Sequence, residues 1–117
     1  MENDITYSIK ITLCGQQKFF GPGTVTLLRY VDETHSLSAA SKRMSLSYSK
    51  ATAMINNAEA HLGFRLLSSR TGGAHGGGSD LTDEAHAIIR LYSQFAQDIA
   101  SCADKRFEIF KTELKKL

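Results

Sequence analysis

The chain has 117 residues, of which 42% are hydrophobic and 22% charged, a composition that suits one folded domain and excludes a disordered chain. No apolar run approaches the roughly 18 to 20 residues that span a bilayer, and residues 1–4 are acidic where a secretory signal is basic, so we expect a cytoplasmic protein. The net charge of +2 is uneven: residues 36–80 carry five basic and two acidic side chains, which favours a phosphate-facing surface in the middle of the chain.

The first predicted element is a β-hairpin. Residues 6–13 alternate between apolar and polar side chains, and this period of two predicts a half-buried strand. Residues 14–17 are predicted to turn into a second short strand at residues 18–20. The Gly-Pro-Gly at residues 21–23 then ends the strand pairing, and its proline suits the first position of a helix. The apolar side of the first strand is formed by Tyr7, Ile9, Ile11 and Leu13.

Three helices are predicted next. The first has its apolar positions at helical spacing and ends in polar residues. Ser36 is predicted to cap a short second helix over residues 37–44, and Ser47 a third helix that ends at Leu62, with Gly63 as its left-handed C-terminal residue. Two helices separated by so brief a break must cross at a large angle, which predicts a helix-turn-helix over about residues 36–62. The apolar positions of the first helix are Val25, Leu27, Leu28, Tyr30 and Val31.

The third helix carries the predicted DNA-reading surface. Its solvent face is polar and largely uncharged, with hydroxyl and amide groups that can hydrogen-bond base edges. The alternative interpretation is an ordinary solvated helix face. The interpretation as a DNA-reading surface assigns base contacts to Ser47, Tyr48, Ser49, Thr52 and Asn56, and phosphate contacts to Lys50 and Arg43.

A glycine-rich wing is predicted over about residues 64–81. Residues 64–70 are typical of a strand, and residues 71–80 form a loop with five of the nine glycines. We predict that Arg65, Arg70 and His75 approach DNA phosphates there. The alternatives are a plain connector or a phosphate cradle for a nucleotide, but the loop lacks the Gly-Lys-Ser/Thr ending of a P-loop.

The last predicted element is one long helix over residues 82–117, which follows a DNA-binding domain at residues 1–80. Thr82 is its predicted cap, with acidic residues in the first turn, where the helix dipole favours them. Its apolar stripe exceeds what a compact domain needs, so we predict a homodimer whose recognition helices lie roughly 34 Å apart on a palindromic site. The alternative is a monomer in which this helix folds back on its own domain. The predicted dimerisation residues are Ile88, Tyr92, Phe95, Ile99, Phe107 and Phe110.

Catalytic and metal-binding patterns are not recognised in the sequence. No serine occupies a nucleophile elbow and no pair of carboxylates marks a cleft, so we expect neither an enzyme nor a cofactor. The two cysteines, Cys14 and Cys102, are predicted to be reduced and buried as small hydrophobic residues. The histidines have no regular metal-ligand spacing and are predicted to be surface residues; they are His35, His61, His75 and His86.

Several short motifs together resemble a known family. In chain order they are Gly21-Pro22-Gly23, Ser36-Leu37-Ser38-Ala39-Ala40, Met44, Ser47-Tyr48, Gly63, Arg70-Thr71-Gly72-Gly73, and Gly76-Gly77-Gly78 ahead of Leu81-Thr82. With these residues the sequence resembles, over about residues 6–95, the N-terminal DNA-binding domain of the ModE family of molybdate-dependent transcriptional regulators. That family shares its helix-turn-helix core with LysR-type regulators. The glycine-rich wing and its flanks are the specific part of the resemblance.

The resemblance implies a mainly α protein with small β elements: a winged helix-turn-helix with an N-terminal β-hairpin, a glycine-rich β wing and a long C-terminal dimerisation helix. It implies a third helix in the major groove of double-stranded DNA. The family usually has consecutive basic residues after the Ser-Tyr pair, whereas Ser49 precedes Lys50 here, and Thr52 replaces a frequent aromatic residue, so the family's operator sequence is not carried over. The family's molybdate sites lie in a further C-terminal domain, so a molybdate sensor is expected only in trans.

The predicted function is therefore that of a transcriptional regulator that binds a palindromic operator as a homodimer. The alternative is a protein-interaction adaptor that pairs with a full-length molybdate-sensing regulator and has no strong DNA binding of its own. A third possibility is an oxyanion sensor that uses the glycine-rich loop.

Overall fold

The computed structural model describes residues 4–70 and 78–117. The elements in chain order are β1 (Leu13–Cys14), β2 (Lys18–Phe20), α1 (Pro22–Thr34), α2 (Leu37–Arg43), α3 (Tyr48–Leu62), β3 (Leu67–Arg70), β4 (Gly78–Leu81) and α4 (Asp83–Leu114). The predicted fold class is confirmed: a mainly helical winged helix-turn-helix with two small antiparallel sheets, β1–β2 and β3–β4, and a long last helix. The chain divides into a winged unit, Lys10–Ile89, and a terminal unit, Met1–Ile9 with Arg90–Leu117.

Side-chain caps fix where α2 and α3 begin. The hydroxyl oxygen of Ser36 accepts a hydrogen bond from the backbone N–H of Ala39 at 3.0 Å, and that of Ser47 accepts one from Lys50 at 3.0 Å. Each bond satisfies one of the N–H groups that the first turn of a helix leaves without a partner. Gly63 ends α3 with a φ of 82°, in the left-handed region that favours glycine. The predicted caps and the helix-turn-helix are confirmed.

The turn between α2 and α3 is tight because small residues and a left-handed residue allow it. Ala40 is fully buried and Ser41 is 2% exposed, so the helices approach closely at this point. The backbone N–H of Leu46 donates to the carbonyl of Ser41 at 2.9 Å and closes the turn. Between them Ser45 adopts a φ of 56°, a conformation that costs a non-glycine residue about 1 kcal/mol. The turn of a helix-turn-helix often contains glycine, and here serine bears the strain instead.

The core of the winged unit is built around α1. Three consecutive core positions of this helix, Leu27, Leu28 and Val31, have no solvent exposure at all. Burial of side chains of this size contributes about 1.5 to 3 kcal/mol each. Around them pack Phe20 of β2, Leu66, and the small or branched inner residues of α3, which are Ala51, Ile55 and Ala58. Because α3 uses only this side for the core, its opposite side remains free.

The wing is attached to the end of α1. The backbone N–H of Ser79 donates to the carbonyl of His35 at 3.0 Å, and Nδ1 of His35 donates to Oδ1 of Asp80 at 2.7 Å. Thr82 caps α4 as predicted, since its Oγ1 accepts from the N–H of Ala85 at 3.0 Å. The predicted wing strand over residues 64–70 forms only from Leu67, where β3 first finds a pairing partner in β4. Residues 78–80, predicted as loop, belong to β4 for the same reason.

The long strand predicted over residues 6–13 is wrong for most of its length. Only Leu13–Cys14 pairs with β2, and residues 4–12 have no strand neighbour within the described part of the chain. A strand needs a neighbour to receive its backbone hydrogen bonds, so alternation alone does not make one. The predicted apolar side is covered only near β1: Tyr7 and Ile9 are exposed by 38% and 51%, whereas Ile11 and Leu13 are partly buried.

In the terminal unit Tyr7 packs against α4 instead. Its hydroxyl donates to the carboxylate of Asp104, and its ring meets that of Phe107 edge-on with 4.7 Å between centroids. The hydrogen bond to Asp104, aided by desolvation and by the negative charge of that carboxylate, raises the pKa of Tyr7 to about 12. Tyr7 therefore links the N-terminal segment to α4 through a polar and an aromatic contact, without strand pairing.

The prediction that the cysteines are buried is wrong. Cys14 and Cys102 are both exposed free thiols. Cys14 ends β1 at a hairpin turn, and Cys102 lies on α4 on the same side of the helix as Phe95 and Ile99. Among the described residues, none of the helices is both long and apolar enough to cross a membrane.

Candidate nucleic-acid interface

The exposed side of α3 gathers most of the residues predicted to read DNA. Successive residues of a helix are rotated by about 100°, so Ser49, Ala53 and Asn56 lie opposite the core-facing residues. All three are exposed. At the start of the helix Ser47 and Lys50 are exposed, and Tyr48 is 58% exposed. The exposed side of α3 thus presents hydroxyl, phenol, amide and ammonium groups to solvent.

Thr52 differs from the other predicted base-contacting residues. Its side chain is only partly exposed, and its Oγ1 is buried and has no hydrogen-bond partner within the described residues. A buried hydroxyl without a partner costs about 1 to 3 kcal/mol. The hydroxyl that was predicted to reach a base is therefore turned away from the exposed side of α3, and Thr52 offers that side no accessible polar group.

The two predicted phosphate-binding cations of the helix-turn-helix are in different environments. Arg43 pairs with Glu33 at 2.6 Å and lies 5.3 Å from the ring centroid of Tyr30, which holds it against α1. Its side chain is still 50% exposed, and an exposed ion pair contributes only about 0 to 1 kcal/mol, so a phosphate can replace Glu33. Lys50 has no ion pair among the described residues.

Glu59 joins the wing to α3, a role that sequence analysis missed. One of its carboxylate oxygens, Oε2, accepts hydrogen bonds from the backbone N–H of Leu66 at 2.7 Å and of Leu67 at 3.4 Å, and from Nε of Arg65 at 3.2 Å. The side chain of Glu59 is 13% exposed, so these charge-assisted bonds are sheltered from water. The only signal in the sequence is that Glu59 is the single acidic residue of α3. The residues that lead into β3 are thereby fixed beside the recognition helix.

Among the predicted wing cations, Arg65 lies at the base of the wing with 73% of its side chain exposed. The side chain of Arg70 and all of His75 lie outside the described residues, as does the segment 71–77 with most of its glycines. The predicted phosphate contacts of Arg70 and His75 therefore stay predictions, and so do the alternative interpretations of this loop. Within the described residues no cluster of three His, Cys, Asp or Glu side chains can hold a metal ion.

The N-terminal hairpin also lies against α3, which the sequence did not predict. The side-chain amide of Asn57 donates to the backbone carbonyl of Lys18 at 3.0 Å, and the ring of Phe19 stacks on His61 with 4.8 Å between centroids. At the hairpin turn, a Cβ on Gly15 would lie 2.8 Å from Cδ2 of His61, so only glycine fits without displacement of the histidine. The hairpin is therefore closely packed along one side of the helix.

The predicted dimerisation residues of α4 are not equally accessible. Phe95, Ile99 and Phe110 are 49%, 38% and 55% exposed. Tyr92 is buried, and Ile88 and Phe107 are partly covered. Two further large apolar side chains that the prediction omitted, Leu91 and Ile109, are 61% and 55% exposed.

Comparison with known proteins gives the same picture of a DNA-binding domain. Residues 24–86 match the family model of bacterial regulatory helix-turn-helix proteins of the lysR family. The transcriptional regulator ModE of Yersinia pestis is 32% identical over 106 residues, which cover 90% of this chain and 39% of that protein. The DNA-binding transcriptional dual regulator ModE of Escherichia coli (strain K12) is 36% identical over 90 residues, 76% of this chain and 34% of that protein. The chain thus spans little more than a third of the length of these relatives.

Among solved structures, the crystal structure of the DNA complex of the CbnR DNA-binding domain is similar with a TM-score of 0.53 and 25% identity. The match covers 71% of this chain and 90% of that one. The crystal structure of full-length CbnR in complex with its target DNA is similar in fold, with a TM-score of 0.52 and 24% identity. That match covers 71% of this chain and 27% of that one.

Proposed function

The chain belongs to the LysR family of bacterial regulatory helix-turn-helix proteins, and on that premise we propose that it is a transcriptional regulator that binds a palindromic DNA operator as a homodimer. It acts in the cytoplasm by binding and not by catalysis. The single observation that carries the proposal is the exposed polar half of α3, with Tyr48 and Asn56 accessible and Lys50 unpaired among the described residues. Such groups suit direct readout in the major groove, where amides and hydroxyls bond base edges and lysines bond phosphates.

The homodimer is proposed from the apolar side of α4. Five large side chains are exposed there by 38% to 61%, and each leaves on the order of 100 Å² open to water. Together they offer about 500 Å² per protomer, most of the roughly 800 Å² that a standard interface buries on each partner. A second copy of the same helix matches this surface in length and polarity. We therefore propose that the apolar side of α4 is covered by α4 of a second protomer in a two-fold dimer. These residues are Leu91, Phe95, Ile99, Ile109 and Phe110.

The first prediction concerns salt. With Arg43, Lys50 and Arg65 from each of two protomers on phosphates, at least six phosphates are neutralised, so affinity for DNA should fall about 10³-fold or more between 50 and 200 mM salt. Fluorescence anisotropy on duplexes selected by this protein from a random library measures this. Failure of the selection to enrich any sequence, or an affinity that salt leaves unchanged, would contradict the proposal.

The second prediction separates base contacts from phosphate contacts. Lys50→Ala should weaken binding to selected and random duplexes by the same factor, because a phosphate contact carries no sequence information. Asn56→Ala should cost about 1 to 3 kcal/mol on the selected duplex and little on random DNA, because an amide that bonds a base edge discriminates between bases. Affinities of both variants on both duplexes give the measurement. Equal losses for Asn56→Ala on the two duplexes would remove Asn56 from the base-reading set.

The adaptor alternative is less well supported than DNA binding. The family match covers the helix-turn-helix itself, and the exposed residues at the start of α3 are of the kinds that bond DNA. Pairing with a molybdate-sensing regulator in trans stays a prediction. Its signature would be co-purification with a larger ModE-like protein from cells grown with molybdate.

A further inference from the structure

The N-terminal hairpin and the wing attach to opposite sides of α3. The hairpin is bonded through Asn57 and the wing through Glu59. These positions are two residues apart, so they are separated by about 160° around the helix axis. The exposed side of Ser49 and Asn56 therefore lies between the two β elements. A surface that meets DNA through this side of α3 has one β element on each edge.

The hairpin edge is basic. Lys10 and Lys18 are exposed and line an open cleft of about 210 Å³ between the hairpin, the start of α1 and α3. Among the described residues no Asp or Glu lines this cleft, and neither lysine forms an ion pair with any of them. Met54 of α3 also lines it, and Lys50 lies one helical turn before Met54 on the same side. Three ammonium groups thus follow one edge of the recognition helix.

This edge is also held in place. The backbone of Lys18 is bonded to α3, and Phe19 is stacked on His61, so the ammonium of Lys18 projects from a fixed backbone. A charge presented from a fixed support loses less entropy when it meets a phosphate than one on a free segment. At the wing edge, by contrast, the cation Arg65 is paired with the carboxylate of Glu59.

We propose that the hairpin, together with the residues that lead into β1, is a second wing, in which Lys10 and Lys18 bind phosphates of the DNA backbone along the edge of the major groove that α3 enters. The inference rests on the proposed DNA binding by α3 and extends the DNA-contacting surface to an element that the family match, residues 24–86, does not include. Lysine is a point charge at the rim of the groove, so the hairpin adds affinity and orientation and not base recognition.

The test is the double variant Lys10→Gln/Lys18→Gln, with salt-dependent affinity measured on a selected and a random duplex. Each lost phosphate contact should reduce the slope of log affinity against log salt by about 0.9, hence by up to about 3.6 for a dimer. The loss at 0.1 M salt should be about tenfold or more, and equal on both duplexes. Lys10→Arg/Lys18→Arg should retain the slope, and the thermal unfolding of both variants should match that of the parent protein.

The matched control is Lys105→Gln/Lys115→Gln, which removes the same charge from exposed positions of the terminal unit. It should leave the slope unchanged. If the parent protein binds with a steep salt dependence and the hairpin variant behaves as this control does, the second wing is wrong and the proposed function stands. If the hairpin variant changes the preferred sequence, the contact is to bases and the proposal is overturned. If the parent protein has no salt-dependent binding, it is the proposed function that fails.

Discussion

Replacement of Phe95 and Ile99 by aspartate is expected to convert the protein to a monomer and to weaken operator binding by about 10²- to 10⁴-fold. Both side chains are exposed on α4, at 49% and 38%, so the substitutions should leave each protomer folded. In a dimer they would place four carboxylates in an apolar interface, where an unpaired charge is strongly unfavourable. Sedimentation equilibrium gives the oligomeric state, and anisotropy compares a full palindrome with a single half-site. The affinity for the half-site should change little.

The control for this variant is Gln97→Asp/Ser101→Asp, which adds the same charge to exposed positions on the opposite side of α4. It should remain dimeric and retain affinity for the palindrome. A Phe95→Asp/Ile99→Asp protein that stays dimeric would show that the apolar side of α4 does not form the interface. A parent protein that is itself monomeric at micromolar concentration and binds only half-sites would reject the homodimer altogether.

The helices of the winged unit were predictable because their signals are local. Ser36, Ser47 and Thr82 bond backbone N–H groups three residues ahead, and Gly63 takes a left-handed conformation, so each boundary is encoded within one turn of chain. Ser45, which has a positive φ, likewise lies in the brief break between two helices that the sequence predicts. Caps and turns of this kind require no knowledge of the rest of the fold.

The predictions that were wrong depended instead on residues that are distant in sequence and close in space. The alternation of residues 6–13 describes a strand only if a neighbour is present, and the described chain offers one to Leu13–Cys14 alone. Burial of Cys14 and Cys102 likewise depends on what covers each position in space, and both are exposed in the single chain. For Thr52 the helix was predicted correctly, yet the direction of its hydroxyl depends on the side-chain rotamer.

Two links to the recognition helix could not be predicted from the sequence either. The carboxylate of Glu59 reaches backbone groups seven and eight residues ahead, and the amide of Asn57 reaches a carbonyl 39 residues behind. Neither partner has a side-chain signature, since both bonds involve the main chain. These two contacts set where the hairpin and the start of β3 stand beside α3, and hence where the cations that we propose to bind DNA are placed.

The truncation Leu28→Ala is expected to lower the free energy of unfolding by about 2 to 5 kcal/mol, since Leu28 of α1 is fully buried and its removal leaves a cavity. A small domain is stable by only about 5 to 15 kcal/mol, so this is a large share. Urea denaturation at one fixed protein concentration measures it, because the proposed dimer would make stability depend on concentration. The control on the same helix is Thr26→Ala, at an exposed position, with an expected change within about 0.5 kcal/mol.

The Leu28→Ala variant also tests whether the DNA-contacting surface depends on the packing of the core. Leu28 has no exposed atom, so at low temperature, where Leu28→Ala remains folded, its affinity for the selected duplex should lie within about twofold of the parent's. DNA that binds only the folded state should then stabilise both proteins alike, by about 2.7 kcal/mol when free DNA is at 100 times its Kd. A folded variant with tenfold weaker binding would mean that packing around α1 sets the orientation of α3, wing and hairpin together. In that case contacts with DNA could not be assigned to single residues of the surface.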